Sequence, residues 1–220
     1  MKVNKTDSFW TSYTDLMTSL FFIMLVLYVL TYVRMNTTIK LQKEKLAIIE
    51  TVEENLKPLK SDQSLFTYEE QYKRFKLSFD VKFKLGESKL SNSTLEQYPT
   101  TIHKIDKAGE KLKSIIDNLK KAKEVNPKLK NVSYILVIAG YASRIGHDAY
   151  RNYELSYWRA LNLRDYWYSK GIDFEAPEYN GLIDLQISGN GWGGVGRLQN
   201  NEEDNQRFLI QIFPKIGDFQ

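Results

Sequence analysis

The chain has 220 residues, which is enough for one domain of ordinary size and a short appendage. Its 31 basic and 27 acidic residues give a net charge of +4, which is too mild a balance to require a nucleic-acid partner, and a negative mean hydropathy limits any membrane-embedded portion to a small part of the chain. The absence of cysteine excludes disulfides and thiolate metal sites.

The first predicted element is a membrane-spanning helix over residues 9–33, preceded by a short N-terminus of residues 1–8. Its core, Leu16–Val33, reads LMTSLFFIMLVLYVLTYV. With the aromatic-rich residues ahead of it, this run reaches the roughly 20 residues that a helix needs to cross a bilayer. No small-residue cleavage site follows the run, which argues against a signal peptide that is removed.

A carboxylate, Asp15, lies near the front of this apolar run. An ionised carboxylate that faces lipid costs about 2.5–3.5 kcal/mol at the centre of a helix. Its neighbours at helical spacing carry hydroxyls: Thr11, Ser12, Thr18 and Ser19. Such a polar stripe favours a protein partner or a water-filled groove, and it predicts an ion-translocating site formed by Asp15, Thr18 and Ser19. The ion is a proton, or sodium if hydroxyls complete an oxygen cage; the alternative role for Asp15 is to cap the helix.

A stalk helix is predicted over residues 34–57, because this charged segment continues the span and Pro58 follows it. Apolar residues recur in it at spacings of seven, three and seven, at Ile39, Leu46, Ile49 and Leu56. This short coiled-coil-like seam indicates either a parallel pair of chains or packing back onto the globular domain. A solvated stalk is the remaining alternative. The polar residues 58–74 are predicted to form a linker.

Residues 75–220 are predicted to form a globular α+β domain. Four segments have the pattern of strands: Phe75–Phe83, Ser133–Ser143, Leu182–Trp192 and Asn205–Phe213. Two have the pattern of helices: Ile105–Val125, which is amphipathic, and Asp148–Lys170, which ends before a glycine. The order β-α-β-α-β-β predicts a mixed sheet with the helices on one face.

Several motifs typical of enzymes and metal sites are absent or incomplete. The glycine-rich run Gly189–Gly196 follows a predicted strand, but no helix follows the run to hold a phosphate. The two histidines, His103 and His147, lack a surrounding set of ligands, so no metal site is expected. No Ser/His/Asp set has a recognisable spacing. The chain is therefore not expected to be an enzyme.

The segment from Gly140 to Ala160 resembles the core motif of OmpA-like peptidoglycan-binding domains. That family has a GYTDRIG-type turn followed by N-x-x-L-S-x-x-R-A on a helix. The turn is matched here by Gly140, Tyr141, Arg144, Ile145 and Gly146, and the helix by Asn152, Leu155, Ser156, Arg159 and Ala160. The later NQRFLIQI, with Asn205 and Arg207, is similar to the closing strand of the family, so the resemblance covers about residues 75–213.

The resemblance implies that the domain binds the diamino acid of the peptidoglycan stem peptide. In the family a turn aspartate and a helix arginine hold this ligand. Arg159 matches the arginine, whose planar fork suits a carboxylate, whereas Ser143 occupies the place of the aspartate and one extra residue lies near Arg151. The implied binding residues are Ser143, Arg144, Arg151, Asn152, Leu155 and Arg159. The alternative role for Arg159 is a surface ion pair.

The start of the span resembles the B subunits of ion-driven stators, whose flagellar member is MotB and which carry an A-D-F-M-T stretch at this point. Here the stretch reads YTDLMT, from Tyr13 to Thr18. The run DLMTSLFFIMLVL and the nearly absent basic tail are more similar to ZorB subunits of the Zorya anti-phage systems. The resemblance implies a cytoplasmic N-terminus, one inner-membrane span and a periplasmic C-terminal domain. A count of basic residues on either side of the span points to the opposite orientation.

The stator resemblance implies a motor subunit that couples ion flow through Asp15 to motion, for anti-phage defence, while its C-terminal domain holds peptidoglycan. The implied partners are a second copy of this chain and a MotA- or ZorA-like multi-span subunit that forms a pentameric ring around the dimer, with no direct contact to nucleic acid. No cofactor is implied beyond the transported proton or sodium. The alternatives are a flagellar stator subunit and a passive membrane-tethered wall anchor.

Overall fold

The computed structural model describes residues 5–61, 63–72, 74–144, 148–193, 197, 202 and 205–216, without the side chains of residues 5–9, 128, 149 and 216. The chain divides into two compact units, Met1–Glu50 and Thr51–Gln220.

The first element is one long helix, α1, over Lys5–Ser61. Within the described residues, one helical stretch, Trp10–Ser61, is long and apolar enough to cross a bilayer, judged by length and composition. The large apolar side chains from Leu16 to Val33 are exposed in the single chain. Because a contiguous apolar surface of this length is unstable in water, this part of α1 requires lipid or another protein around it.

Pro58 does not stop α1, contrary to the sequence-based expectation. The helix continues to Ser61. Pro58 removes the hydrogen bond that its own nitrogen would have donated and crowds the carbonyl four residues earlier. The side chain of Leu59 is nevertheless fully buried, which holds the last turn in place. Val52, Leu56 and Leu59, spaced four and three residues apart, form one buried face of this final segment.

The four residues of the predicted stalk seam therefore do not share one environment. Leu56 packs back onto its own unit, whereas Ile39, Leu46 and Ile49 are exposed in the single chain. The pairing of two chains through these three residues stays a prediction.

The predicted linker, residues 58–74, contains a strand. After the end of α1, strand β1 spans Phe66–Glu69 and pairs antiparallel with β2, Arg74–Leu77. The Tyr68 and Phe75 rings, on paired residues, lie 4.8 Å apart. Three of the four residues of β1 are only half-buried, which explains why its pattern indicated a polar linker. Strand β2 is also shorter than the predicted Phe75–Phe83, and Phe83 instead forms an isolated bridge with Leu95.

The remaining elements follow the predicted order. They are α2 (Tyr98–Val125), β3 (Val132–Gly140), α3 (Ala149–Ser169), β4 (Ile183–Gly189) and β5 (Phe208–Ile216). The five strands lie in the order β1-β2-β5-β3-β4. The β3–β4 pair is parallel and the other pairs are antiparallel. The prediction of an α+β fold with a mixed sheet is confirmed, with β1 as an additional edge strand.

The core lies between the central strand β3 and the two helices. Tyr134, Leu136 and Ile138 alternate along β3 and are fully buried on the helix side of the sheet. Trp167 of α3 is also fully buried, and its indole N–H donates to the carbonyl of Ile105 in α2 at 3.0 Å. This contact joins the two helices into a single layer over the sheet.

The start of α3 is held tightly against the ends of β3 and β4. A Cβ atom at Gly140 would lie 2.1 Å from the main-chain oxygen of Ser156, and one at Gly189 would lie 2.6 Å from the nitrogen of Tyr157. The buried Ser156 hydroxyl donates to the Tyr153 carbonyl at 2.7 Å and accepts the N–H of Gly191 at 2.8 Å. Close approach and hydrogen bonding together set the position of α3 on the sheet.

Gly140→Ala should lower the free energy of unfolding by about 3 kcal/mol, at the upper end for overpacking, because the atom in its way belongs to the main chain and cannot rotate aside. Urea unfolding of the detergent-solubilised chain measures this. Gln186→Ala, at an exposed position of β4, should change stability by less than about 0.5 kcal/mol. Equal midpoints for the two variants would contradict the close approach of α3 to β3.

Ser156→Ala should cost about 1–3 kcal/mol, because it leaves the Gly191 N–H buried without an acceptor. The matched control is Ser169→Ala at the other end of α3, where the hydroxyl donates to the Tyr166 carbonyl at an exposed site. The same urea titration should show a control within about 0.5 kcal/mol of the unaltered chain. A Ser156→Ala variant as stable as this control would show that the hydrogen bond does not hold α3.

Candidate functional site

A pocket of about 260 Å³ opens at the start of α3. It is lined by Leu85, Gly86, Ser143, Asp148, Arg151, Asn152, Leu155, Arg159 and Gln206. Five of the six residues that the sequence predicted as peptidoglycan-binding are among these, and Arg144 is not. The main-chain N–H of Arg144 donates to Glu202 at 2.9 Å, and its guanidinium lies 5.9 Å from the Trp192 ring. Ile145 and Gly146 of the predicted turn lie outside the described residues.

The first turns of α3 place four of the lining residues on one side of the helix. Asp148 is the N-cap, and its carboxylate accepts the main-chain N–H of Arg151 at 3.1 Å. The Asn152 side-chain amide donates back to the Asp148 carbonyl at 2.8 Å. Leu155 and Arg159 follow at spacings of three and four residues, so they project on the same side as Asn152. The cap thus fixes the start of α3 and, with it, the positions of the side chains that line the pocket.

Arg159 lies at the base of the pocket and is 97% buried, with 3% of its surface exposed. Its Nε donates to the Glu87 carbonyl at 3.0 Å and its Nη1 to the Tyr141 carbonyl at 3.3 Å. The guanidinium carbon lies 4.4 Å from the centre of the Phe83 ring, a cation–π distance. These contacts orient the guanidinium without neutralising it.

The charge of Arg159 has no carboxylate counterpart among the residues that the structure describes. The alternative of a surface ion pair is therefore wrong for this residue. Burial lowers the pKa of the guanidinium to about 10, because the charged form loses hydration. At neutral pH the group still carries its charge, so the pocket contains a buried cation that an anionic ligand could neutralise.

The side of the pocket formed by Ser143 and Gln206 is neutral. Ser143 is 7% exposed, and its hydroxyl lies 3.5 Å from the Gln206 amide nitrogen, which is long for a hydrogen bond. The Gln206 carbonyl oxygen Oε1 is buried and has no hydrogen-bond partner within the described part of the chain. This side therefore offers hydrogen-bond acceptors but no charge.

Sequence reasoning missed four residues of the pocket lining: Gln206, Leu85, Gly86 and the N-cap Asp148. Gln206 lies between Asn205 and Arg207, the two residues that matched the closing strand of the family, and this neighbourhood was the signal available. Leu85 and Gly86 belong to the loop between β2 and α2, where Gly86 has a left-handed φ of 76°. The loop is tied to α3 because the Asn162 amide donates to the Ser88 carbonyl at 3.1 Å.

Part of the polar stripe of α1 lines a shallow, open groove on the surface of the helix, within the first unit. The groove is lined by Trp10, Thr11, Thr14, Asp15 and Thr18. The Thr18 hydroxyl donates to the Thr14 carbonyl at 2.8 Å, and the Thr14 hydroxyl to the Trp10 carbonyl at 2.8 Å. Both hydroxyl protons are thus donated to carbonyls of the helix. The lone pairs of the two hydroxyl oxygens can still coordinate a cation.

The groove brings together two of the three predicted ion-translocating residues. Asp15 and Thr18 line it, and Thr14 is an addition that sequence reasoning did not include. Ser19 lies on the other side of Asp15 at helical spacing and does not line the groove. In the described residues there is no cluster of three or more His, Asp or Glu side chains that could hold a metal ion.

Several solved structures are similar to this chain. The OmpA-like domain of FopA1 from Francisella tularensis is 20% identical, over 69% of this chain and 79% of its own, with a TM-score of 0.35. A putative MotB-like protein from Desulfovibrio vulgaris is 15% identical over 77% and 97%, with a TM-score of 0.43. The periplasmic domain of Helicobacter pylori MotB is 15% identical over 66% and 86%, with a TM-score of 0.32. No curated protein sequence matches this chain.

The family model of OmpA matches residues 100–210, which is just over half of the chain. The match contains α2, β3, α3 and β4, and therefore the arginine, the N-cap and most of the lining of the pocket. The chain belongs to the OmpA family.

Proposed function

We propose that the second unit anchors the chain to the bacterial cell wall by binding a peptidoglycan stem peptide in the pocket at the start of α3. The observation that carries this proposal is the buried, charged Arg159 at the base of the pocket, without a carboxylate partner among the described residues. Stem peptides contain carboxylates. A carboxylate bound there would form charge-assisted hydrogen bonds with the guanidinium and offset the hydration that burial removes.

The geometry of the pocket supports a small acidic group rather than a large ligand. Arg159 is already oriented by the Glu87 and Tyr141 carbonyls, so little side-chain freedom would be lost on binding. Leu155 adds an apolar wall and Asn152 an amide edge. A bound anion would also raise the pKa of Arg159 back toward the ordinary value for arginine, because it stabilises the charged form.

Arg159→Leu should reduce binding of the chain to isolated peptidoglycan about tenfold or more, since a hydrogen bond to a charged group contributes about 1.5–3 kcal/mol. Sedimentation of the detergent-solubilised chain with purified cell-wall sacculi measures this. Arg164→Gln is the matched control, because Arg164 lies on the same helix but pairs with Asp165 and Glu175 outside the pocket. Unchanged binding by Arg159→Leu, or an equal loss in both variants, would reject the assignment.

We further propose that the chain is the B subunit of an ion-driven inner-membrane motor of the ZorB type, acting in anti-phage defence, with its N-terminus in the cytoplasm and its second unit in the periplasm. An exposed apolar helix that carries Asp15 in a groove of hydroxyls supports this proposal. A carboxylate is costly in lipid, which favours a protein partner around this face of α1.

The proposed partner is a MotA- or ZorA-like multi-span subunit, arranged as a ring of five around two copies of this chain. Loading and release of a proton or sodium ion at Asp15 would change how α1 packs against that ring. Transfer of one charge supplies about 2.3 kcal/mol per 100 mV of membrane potential. The wall anchor would hold the subunit against the resulting force. A flagellar stator subunit and a passive wall anchor are the alternative functions.

Asp15→Asn should abolish protection against phage while the chain still assembles in the membrane, because an amide cannot release and regain a proton at neutral pH. The efficiency of phage plating measures protection, and membrane fractionation measures assembly. The control is Thr31→Val in the same apolar stretch, whose hydroxyl donates to the Leu27 carbonyl away from the groove. Full protection with Asp15→Asn would leave a passive anchor as the better description.

A further inference from the structure

We propose that the pocket selects the acylated form of the peptidoglycan diamino acid, in which the side-chain amine is bonded as an amide, over the form with a free amine. This inference rests on the proposed binding of a stem peptide at Arg159. In peptidoglycan the amide form occurs where one stem peptide is cross-linked to another, so the pocket would favour cross-linked wall.

The pocket offers an ammonium group no buried counterion. Two cationic side chains line it, Arg159 and Arg151, against one carboxylate, that of Asp148. The Asp148 carboxylate is at the exposed start of α3 and accepts the main-chain N–H of Arg151 as the helix cap. With the ligand carboxylate bound at Arg159, the charges of Arg151 and Asp148 offset each other, so an entering ammonium finds no buried carboxylate among the described residues to pair with.

The side of the pocket formed by Ser143 and Gln206 carries no charge. Ser143 stands where the motif of the family carries an aspartate, and its hydroxyl lies 3.5 Å from the Gln206 amide nitrogen. A hydroxyl and an amide carbonyl accept hydrogen bonds but cannot offset a positive charge. Moving an ammonium from water to such a place removes its hydration without replacing the charge interaction, which is unfavourable.

Gln206 provides one hydrogen-bond acceptor for the ligand. Its Oε1 has no hydrogen-bond partner among the described residues and is covered in this structure, so the side chain must turn toward the ligand to accept one N–H. An amide N–H supplies one donor without charge, whereas an ammonium supplies three donors and a charge. A buried acceptor left without a partner is costly, so a ligand amide that donates to Gln206 lowers the free energy of binding. An ammonium could donate to Gln206 as well, but its charge would remain without a counterion, so it gains less.

The rim of the pocket leaves room for the acyl group. Leu85 is 82% exposed and, together with Gly86 and Arg151, forms the solvent side of the opening. The acyl chain that continues from the amide would leave the pocket past this edge, while the carboxylate of the same residue contacts Arg159 at the base.

The test compares two synthetic stem tetrapeptides that contain meso-diaminopimelate and differ only at its side-chain amine, which is free in one and acetylated in the other. Isothermal titration of the detergent-solubilised full chain should give about tenfold tighter binding of the acetylated peptide. Ser143→Asp, which adds a carboxylate to the neutral side, should remove or reverse this preference. Arg159→Leu should bind both peptides about tenfold more weakly or worse.

The outcomes separate this inference from the proposed function. If the unaltered chain binds neither peptide, the proposed peptidoglycan binding fails. If it binds both and the free amine binds equally well or better, peptidoglycan binding stands and the preference for the acylated form is wrong. Because the unaltered chain alone decides between these results, a Ser143→Asp variant that does not fold would not leave the question open.

Discussion

A buried guanidinium held by main-chain carbonyls organises the functional end of the second unit. Arg159 draws on the Glu87 carbonyl from the loop before α2 and on the Tyr141 carbonyl just after β3. It thereby connects three segments that are distant in the chain. A group that served only the fold would gain more from a carboxylate or from an apolar replacement, since burying a charge without a counterion is costly. The cost is understandable if the group serves a ligand.

The same end of the domain depends on close main-chain contacts that orient α3. Gly140 and Gly189 allow the helix backbone to approach the strand ends, and Ser156 satisfies a main-chain N–H in the opposite loop. These residues do not line the pocket. They determine the direction in which Asn152, Leu155 and Arg159 project, so part of the family motif is a packing requirement rather than a binding one.

The helices and the central strands of the domain were predictable from the sequence, because long periodic segments bury one face. Strand β1 was not, since a strand of four residues that are mostly half-buried has the composition of a linker. Pro58 gave a wrong prediction of the helix end for a related reason. The sequence shows the proline, but it does not show that the buried side chain of Leu59 holds the helical turn that follows. In both cases tertiary packing overrode a local signal.

The residues of the site that belong to the family motif were predictable from the sequence. The neutral residue that completes the pocket was not. Arg159, Asn152 and Leu155 share a helix and a motif, whereas Gln206 has no chemical signature until the fold brings it beside Ser143. The burial of Arg159 and its carbonyl partners also depend on contacts between residues 72 and 18 positions apart. Spacing along one helix cannot reveal contacts of that range.

This dependence on distant segments couples ligand binding to the stability of the domain. Because Glu87, Tyr141 and Arg159 come together only in the native domain, an unfolded chain has no pocket and cannot hold the ligand. By mass action, a ligand that binds only the native form stabilises it by an amount that grows with occupancy. In the proposed wall anchor, a domain with bound ligand would therefore be more stable against unfolding than an empty one, so the copies attached to the wall would be the last to unfold.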